Sequence, residues 1–184
     1  MNAFMAGSTD SINKKIKKII DKLKLVPLEN EGGFYHEIYR SDGFIEKACL
    51  PEKYSSKRCF YTSIYYLITE ENYSRLHKVN SDEIFNFYMG DPVEMINLFL
   101  DGSFKKIILG RNIFKGEVFQ YMVPAGTWQG AKLKKHGKKD GGFALLGTVV
   151  APGFEFEDFV LGTEYKEEIL EKYGNIKSGF IDYF

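Results

Sequence analysis

A histidine, His77, and a glutamate, Glu83, lie six residues apart, and both side-chain types can transfer protons near neutral pH. Residues 80–82 (Asn-Ser-Asp) favour a turn, so His77 is predicted near the end of one strand and Glu83 at the start of the next. Alternation along that strand places Phe85 and Phe87 on the same face as Glu83. A carboxyl group among aromatic rings is poorly hydrated, which raises its pKa. The pattern predicts either a catalytic pair or a buried polar pair with only a structural role.

Further candidates for ligand binding are polar side chains beside turns and strand ends. Gln129 follows a tight turn at residues 124–126 (Pro-Ala-Gly), and its amide can donate to or accept from a ligand hydroxyl or carbonyl. Arg40 and Arg75 could hold an anionic ligand through paired hydrogen bonds, or form structural ion pairs. Ser74 could bind a ligand or complete a turn.

The elements that must position these residues are short strands. Period-two alternation and turn residues predict strands over 34–39, 60–68, 75–79, 84–88, 93–100, 104–109, 119–123, 127–132, 143–150 and 157–161. The Asp101–Gly102 pair predicts a hairpin with a two-residue turn, and the polar residues 40–57 predict a long loop. So many short strands are typical of an antiparallel sandwich or barrel.

Helices are predicted at both ends of a single domain that spans residues 1–184, with the barrel over residues 31–161. Residues 12–24 carry an apolar stripe among lysines, with N-cap candidates at residues 8–11, and are expected to cover the barrel rather than bind a membrane. A second helix fits residues 164–173, with Thr163 as its cap and Gly174 at its end. The basic run 132–139 is predicted to be an exposed hairpin tip.

The net charge and the hydropathy exclude several classes of partner. The 184 residues include 25 Lys+Arg and 25 Asp+Glu, so the formal net charge is zero, and nothing in it favours nucleic acid. No apolar run approaches the roughly 20 residues of a membrane span, and the first residues lack a signal-peptide stretch. We therefore expect a cytoplasmic protein that binds neither nucleic acid nor a membrane.

Two predicted strands, 60–68 and 143–150, are apolar on both faces. A sheet that is buried on both sides needs a cover on its outer face, and two short helices offer little area for it. This pattern predicts a homodimer with an isologous interface.

The spacing of His77, Glu83 and Gly90 resembles the first motif of the cupin superfamily, which reads H-x-H, three or four residues, E, six residues and G. Val79 stands at the position of the second metal-binding histidine of that motif. The resemblance implies an all-β fold, a cupin jelly-roll barrel made of an antiparallel double sheet, with short N- and C-terminal helices.

The second cupin motif, P-x-G-x-x-H, is matched by Pro124 and Gly126, with Gln129 in place of the histidine. Valine cannot ligate a metal and an amide is a poor ligand for transition metals, so two of the four usual ligands are missing. We therefore expect no cofactor. A divalent metal is the weaker alternative, and its ligands would be His77, Glu83 and Gln129.

Blocks of sequence between residues 31 and 159 more closely resemble the uncharacterised "cupin-5" branch of bacteria and fungi, whose members look like dimers of unknown activity. The blocks read EGGF, EIYRS, SRLHKVNSDEI, MGDP, VPAGTWQ and APGFEFEDF. That branch is similar to the dTDP-4-keto-6-deoxyhexose 3,5-epimerases. Residues 33–37 (GFYHE) resemble their G-F-F-x-E segment, and residues 75–77 (RLH) resemble their R-G-L-H segment.

The epimerase resemblance implies that His77 is the base and that Phe34 and Glu37 reach the pocket of a partner subunit. Tyr39 and Arg40, which continue that segment, join the ligand-binding candidates. The leading hypothesis is a small-molecule-binding cupin, acting as an epimerase or isomerase on a carbohydrate or other carbonyl compound. Its alternatives are a binding or sensor protein without catalysis and a metal-dependent oxygenase.

Overall fold

The computed structural model describes residues 3–134, 141–174 and 179–184, which form two β-sheets packed face to face. The helices are α1 (Ala3–Leu23) and α2 (Lys166–Tyr173). The strands are β1 (Val26–Pro27), β2 (Phe34–Arg40), β3 (Phe44–Ile45), β4 (Arg58–Cys59), β5 (Thr62–Thr69), β6 (Ser74–Val79), β7 (Asp82–Gly90), β8 (Val93–Leu98), β9 (Phe104–Leu109), β10 (Gln120–Val123), β11 (Trp128–Leu133), β12 (Phe143–Ala151) and β13 (Phe159–Leu161).

The strand order is that of a double-sheet jelly roll. One sheet, called here the large sheet, has the order β1-β2-β5-β12-β7-β10, and the other, the small sheet, has the order β13-β6-β11-β8-β9. All pairings within these two sheets are antiparallel. The predicted all-β class with helical attachments at the chain ends is therefore confirmed.

The core lies between the two sheets and is built from alternate residues of each strand. Phe85 and Leu146 of the large sheet pack in one cluster with Met95 and Ala131 of the small sheet. Glu83 is buried on the same strand as Phe85, two residues before it, as the alternation predicts. The site's carboxyl group thus belongs to the inner face of the barrel.

Helix α1 covers part of the outer face of the large sheet. Its apolar stripe, which includes Ile16 and Ile20, packs on Leu67, Phe143 and Leu145. The helix begins at Ala3 and not at residue 12, so the predicted caps at residues 8–11 lie inside it. Ala, Phe and Met at its start tolerate a helix well, and the preference of polar residues for caps is too weak to stop it.

Helix α2 and the last described residues cover the outer face of the small sheet. Ile169 and Tyr173 of α2 pack with Phe180 and Tyr183 on Leu76 and its neighbours. The helix begins at Lys166, after a 3-10 turn over Gly162–Tyr165, and Thr163 makes no capping hydrogen bond. The predicted cap at this end is therefore wrong, because the chain leaves β13 through the 3-10 turn.

The predicted loop over residues 40–57 contains more structure than its composition indicates. Phe44–Ile45 of the loop pair with Arg58–Cys59, which directly follow it, and Lys47–Cys49 form a 3-10 turn. The predicted strand over 157–161 begins only at Phe159, after a 3-10 turn over Phe156–Asp158. The hairpin between β8 and β9 forms as predicted, but residues 99–103 make a longer loop with Gly102 at a φ of 88°.

None of the helices in the described ranges is long and apolar enough to cross a lipid bilayer. Most of the basic run 132–139, with His136, lies outside the described residues.

Candidate functional site

A pocket of about 270 Å³ opens between the two sheets, where β2, β5, β7 and β12 of the large sheet face β6 and β13 of the small one. Its lining residues are Leu28, Asn30, Glu31, Tyr35, Glu37, Arg40, Thr62, Ile64, His77, Val79, Glu83, Thr148, Val150, Phe154, Phe156 and Phe159. Four of the site's side chains, Glu31, His77, Glu83 and Gln129, are linked to one another, and we call them the polar cluster.

His77 lies on β6 with its ring almost completely buried. Its Nδ1 atom is 2.8 Å from the backbone carbonyl oxygen of Arg75. Because a carbonyl oxygen only accepts hydrogen bonds, Nδ1 carries a hydrogen, so in the neutral ring the lone pair is on Nε2. The ring of Phe159 stacks on the imidazole with 5.2 Å between centroids and fixes its plane. The imidazole therefore presents Nε2 as a hydrogen-bond acceptor and potential base.

Gln129 on β11 joins His77 to Glu83. It is completely buried and stands opposite His77 in the strand register. Its Nε2 atom donates to Glu83 Oε2 at 2.7 Å and lies 3.3 Å from His77 Nε2. The histidine and the glutamate predicted from the sequence therefore meet through an amide, at the position where the family motif has a metal-binding histidine.

Glu83 on β7 is a buried carboxyl group whose pKa lies well above that of an exposed glutamate. Burial raises the pKa of its carboxyl group to about 7, and the negative charge of Glu31 adds to the effect. Hydrogen bonds from Gln129 and Thr148, and the positive charge that His77 carries when its ring is protonated, act in the opposite direction but are the smaller effects. A carboxyl group with this pKa can give or take a proton under physiological conditions.

Glu31 is a site residue that the sequence did not reveal, since residues 31–33 read as a plain turn. Its Oε1 atom accepts a hydrogen bond from Ser74 Oγ at 2.7 Å, and its Oε2 atom lies 3.8 Å from His77 Nε2. The carboxyl group is only 13% exposed. The sequence did contain one indication of this site: Glu31 is followed by two glycines, which allow a loop to lie close against a strand.

Arg75 and two glycines hold the Glu31 loop in place. Gly32 has a φ of 104°, and a Cβ atom there would overlap the carbonyl oxygen of Tyr73. The Arg75 guanidinium donates to the carbonyl oxygens of Glu29 at 2.6 Å and Glu31 at 3.3 Å. Arg75 thus positions the loop through its backbone and does not line the pocket, whereas Ser74 orients the Glu31 carboxylate.

Arg40 lines the pocket beside Glu37, but its guanidinium is already engaged. It makes a two-point ion pair with Glu37 at 3.0 and 2.9 Å and a second ion pair with Glu155 at 2.6 Å. A further bond goes to the carbonyl oxygen of Phe154 at 3.1 Å. The hydrogen bond and charge of Glu37 raise the pKa of Arg40 above its already high value.

Phe34 and Tyr39 lie on β2 away from this chain's own pocket. Phe34 packs with Leu67 beneath α1, on the outer face of the large sheet. Tyr39 is half-exposed and stacks on Tyr61, with ring centroids 5.5 Å apart. Of the predicted ligand-binding residues on this strand, the structure brings only Glu37 and Arg40 to the pocket.

The polar cluster does not fit a divalent metal. The Gln129 amide hydrogens point at Glu83 Oε2 and His77 Nε2, so two of the atoms that would ligate the metal face an N–H donor. In the described part of the chain, no three His, Cys, Asp or Glu side chains are grouped so that they could hold a metal ion. We therefore derive no chemistry from a metal at this site.

Comparison with known proteins gives one family model, described as Cupin_5, cupin superfamily (DUF985), which matches residues 17–162. The uncharacterised protein YML079W of Saccharomyces cerevisiae is 30% identical over 149 residues, which cover 78% of this chain and 73% of the yeast protein. A hypothetical protein from Leishmania major is 29% identical with a TM-score of 0.80, over 91% of this chain and 97% of that one. A Shewanella oneidensis protein is 30% identical with a TM-score of 0.73, over 90% and 94%.

Proposed function

This chain belongs to the cupin superfamily, in the family Cupin_5 (DUF985), and on that premise we propose that its barrel binds a small organic molecule on which His77 and Glu83 act by proton transfer. The reaction would be of the epimerase or isomerase type, on a carbohydrate or other carbonyl compound.

The single observation that carries the proposal is the state of the His77 imidazole. Nδ1 is occupied by the Arg75 carbonyl, so the lone pair of Nε2 faces the polar cluster in a pocket wall. The Gln129 amide contacts this atom only at 3.3 Å, a long hydrogen bond that a substrate C–H can displace at small cost. A neutral imidazole in this position is the ordinary general base of enzymes.

Glu83 supplies the complementary acid. His77 Nε2 takes the proton from the carbon next to the carbonyl, and the electron pair of that C–H bond moves into an enolate. Protonated Glu83, with a pKa of about 7, donates a hydrogen bond to the enolate oxygen and stabilises its charge. Return of the proton from His77 to a neighbouring carbon completes an isomerisation. Delivery of a proton from water to the opposite face of the carbon, with loss of the His77 proton to solvent, completes an epimerisation.

Solvent deuterium exchange tests this reaction directly. The protein is incubated in heavy water with small ketones and aldehydes, among them keto-deoxyhexose nucleotides, and deuterium next to each carbonyl is measured by NMR. We expect incorporation into at least one compound, and we expect His77→Gln to slow it by about a hundredfold or more. Glu167→Gln, on the exposed side of α2, is the control. Incorporation into none of the compounds, or an unaffected His77→Gln rate, would contradict the proposal.

A binding or sensor function without turnover is the second candidate, and one observation favours it. Beyond Glu83 itself, the donors around His77 already have partners within the protein: Ser74 donates to Glu31, Gln129 to Glu83, and Tyr66 to the carbonyl of Gly32. Native mass spectrometry of freshly purified protein distinguishes the two. A tightly retained ligand, recovered unchanged and without deuterium exchange, would favour the sensor.

We also propose that the protein is a homodimer. The part of the large sheet's outer face that α1 leaves uncovered is rich in uncharged, exposed side chains. We call this surface the tyrosine face; it comprises Tyr39, Tyr88, Met89 and Met122 of the sheet, and Tyr61, which precedes β5 and stacks on Tyr39. Tyrosine and methionine are enriched in protein interfaces, and a face of this kind can pair with its own copy around a two-fold axis.

A further inference from the structure

The hydrogen-bond donors in and around the polar cluster already have acceptors within the protein. His77 Nδ1–H donates to Arg75, the Gln129 amide donates to Glu83, and Ser74 Oγ–H donates to Glu31. With Glu83 ionised, what the cluster presents to a ligand is therefore a set of acceptors: the oxygens of Glu31 and Glu83 and the lone pair of His77. A ligand that offers only acceptors would find a partner there only in protonated Glu83.

Two buried amides, Gln129 and Asn97, lie in and next to the polar cluster. Gln129 Oε1 is buried and has no hydrogen-bond partner among the described residues, and the same holds for both polar atoms of Asn97. Asn97 stands directly opposite Gln129 in the pairing of β8 with β11, and both side chains are completely buried. Neither residue lines the described pocket, and Gln129 contacts the pocket wall only through His77 and Glu83. This layer therefore offers a pocket ligand no further hydrogen-bond donor of its own.

The charges of the pocket agree with the hydrogen bonds. Three carboxyl groups line it, those of Glu31, Glu37 and Glu83, and they face a single guanidinium among the described lining residues. That guanidinium, on Arg40, is bound by Glu37 and by Glu155, which lies outside the lining. The pocket is therefore acidic although the whole chain is neutral. An anionic ligand would have to displace an existing ion pair to find a cation.

The rest of the pocket is apolar. Leu28, Ile64 and Val150 form part of it, and the rings of Phe154, Phe156 and Phe159 form another part. Phe154 and Phe156 pack edge to face with 5.2 Å between centroids. A bare metal ion would leave these walls without a contact, whereas an organic cation fills both the acidic and the apolar part.

We propose that the ligand of the barrel is a small organic amine in its ammonium form, whose N–H groups bind Glu31 and Glu83 and whose apolar body lies against the phenylalanine rings. The inference rests on the proposed function only in that the barrel binds a small molecule. It assigns the substrate class, because a nucleotide sugar carries the opposite charge. If the protein catalyses proton transfer, the carbonyl compound it accepts carries an amino group that Glu31 holds, which leaves protonated Glu83 for the enolate oxygen.

Three probes of nearly equal shape test the inference: phenethylammonium, phenethyl alcohol and phenylacetate, titrated into the full-length protein by calorimetry at about pH 8, where Glu83 is mostly ionised. We expect the ammonium compound to bind at least about tenfold more tightly than the alcohol, and phenylacetate to bind most weakly. Glu31→Gln, which keeps the hydrogen bond from Ser74, should remove most of that preference, and Glu167→Gln should leave it unchanged.

Equal affinity for the ammonium compound and the alcohol, tighter binding of phenylacetate, or no binding of the ammonium compound would each overturn the inference. Because the comparison uses the unmodified protein, a Glu31→Gln variant that fails to fold does not affect this outcome. The proposed function has its own readout. Deuterium exchange into a nucleotide sugar would support proton transfer by His77 and at the same time refute the amine.

Discussion

At Glu83 the fold keeps a carboxyl group where ionisation is unfavourable. Burial and the neighbouring charge of Glu31 raise its pKa from 4.5 to about 7. Between these two values the folded protein binds a proton that the unfolded chain releases, so stability falls as the pH rises through this range. The loss is complete about one pH unit above 7 and amounts to about 3 kcal/mol. Such strain is typical of groups kept for chemistry.

The first prediction follows from this linkage and concerns Glu83→Gln. The variant keeps an acceptor for the Gln129 amide but has no charge to desolvate. At about pH 8 we expect urea unfolding to give the variant a free energy of unfolding about 2–3 kcal/mol higher than that of the parent protein. At about pH 5 we expect little difference between the two proteins.

The matched control for this experiment is Glu167→Gln, a change of the same kind on an exposed site. It should leave both the stability and its pH dependence as they are in the parent protein. If the difference in stability between the parent protein and Glu83→Gln is the same at pH 5 and at pH 8, ionisation of Glu83 does not destabilise the fold and the prediction is wrong.

The residues that sequence spacing could find are those whose neighbours are fixed by strand alternation. His77, Glu83 and Gln129 lie on inner faces, and their parity follows from the residues beside them. Glu31 could not be found in this way. Its place depends on a left-handed glycine and on contacts with Ser74 and Arg75, more than forty residues away along the chain.

At the scale of elements, a buried ion pair positions the strand that stacks on His77. Arg58 on β4 binds Asp158 through two hydrogen bonds of 2.7 and 2.8 Å, and both side chains are almost completely buried. Asp158 precedes Phe159, whose ring lies on the imidazole. The pair therefore connects the long segment after β2 to the wall of the site.

The second prediction concerns this ion pair. Arg58→Met or Asp158→Leu alone leaves a buried charge with part of its partners lost, and should lower the free energy of unfolding by about 3–5 kcal/mol. The double variant replaces both charges by apolar groups of similar size and should be more stable than either single variant. Urea unfolding of the four proteins measures the coupling, and additive losses would show that the two side chains do not depend on each other.

The same pair explains why the sequence misplaced the elements around it. Alternation alone predicted a strand from residue 157, but Asp158 is drawn toward Arg58, and the chain forms a 3-10 turn over Phe156–Asp158 before β13 begins. The strands β3 and β4 are two residues each, too short for any periodicity to show. Elements held by contacts distant along the chain are those that a local pattern cannot find.

At the scale of the whole molecule, the overall charge and the charge of the pocket differ. Equal numbers of acidic and basic residues make the chain neutral, and this balance excluded partners such as nucleic acid without indicating the character of the site. Many of the lysines lie on α1 and on the outer surfaces. Carboxyl groups line the pocket inside the barrel, so the selectivity of the pocket depends on where the charges lie and not on the net charge of the chain.

The prediction at this scale is that the tyrosine face holds two copies together. Met122 on β10 is half-exposed, lies on the outer side of the large sheet next to Ile84, and takes no part in the described pocket. We expect the parent protein to sediment as a dimer and Met122→Lys to sediment as a monomer, because a lysine buried against its own copy places two like charges at one interface. Phe114→Lys is the matched control and should stay dimeric, because Phe114 is 96% exposed on the loop after β9.

A monomeric parent protein would refute the tyrosine face. Dissociation by the Phe114 change, with none by the Met122 change, would refute it as well. In the first case this face of the sheet is simply exposed, and in the second the interface lies at the loop after β9.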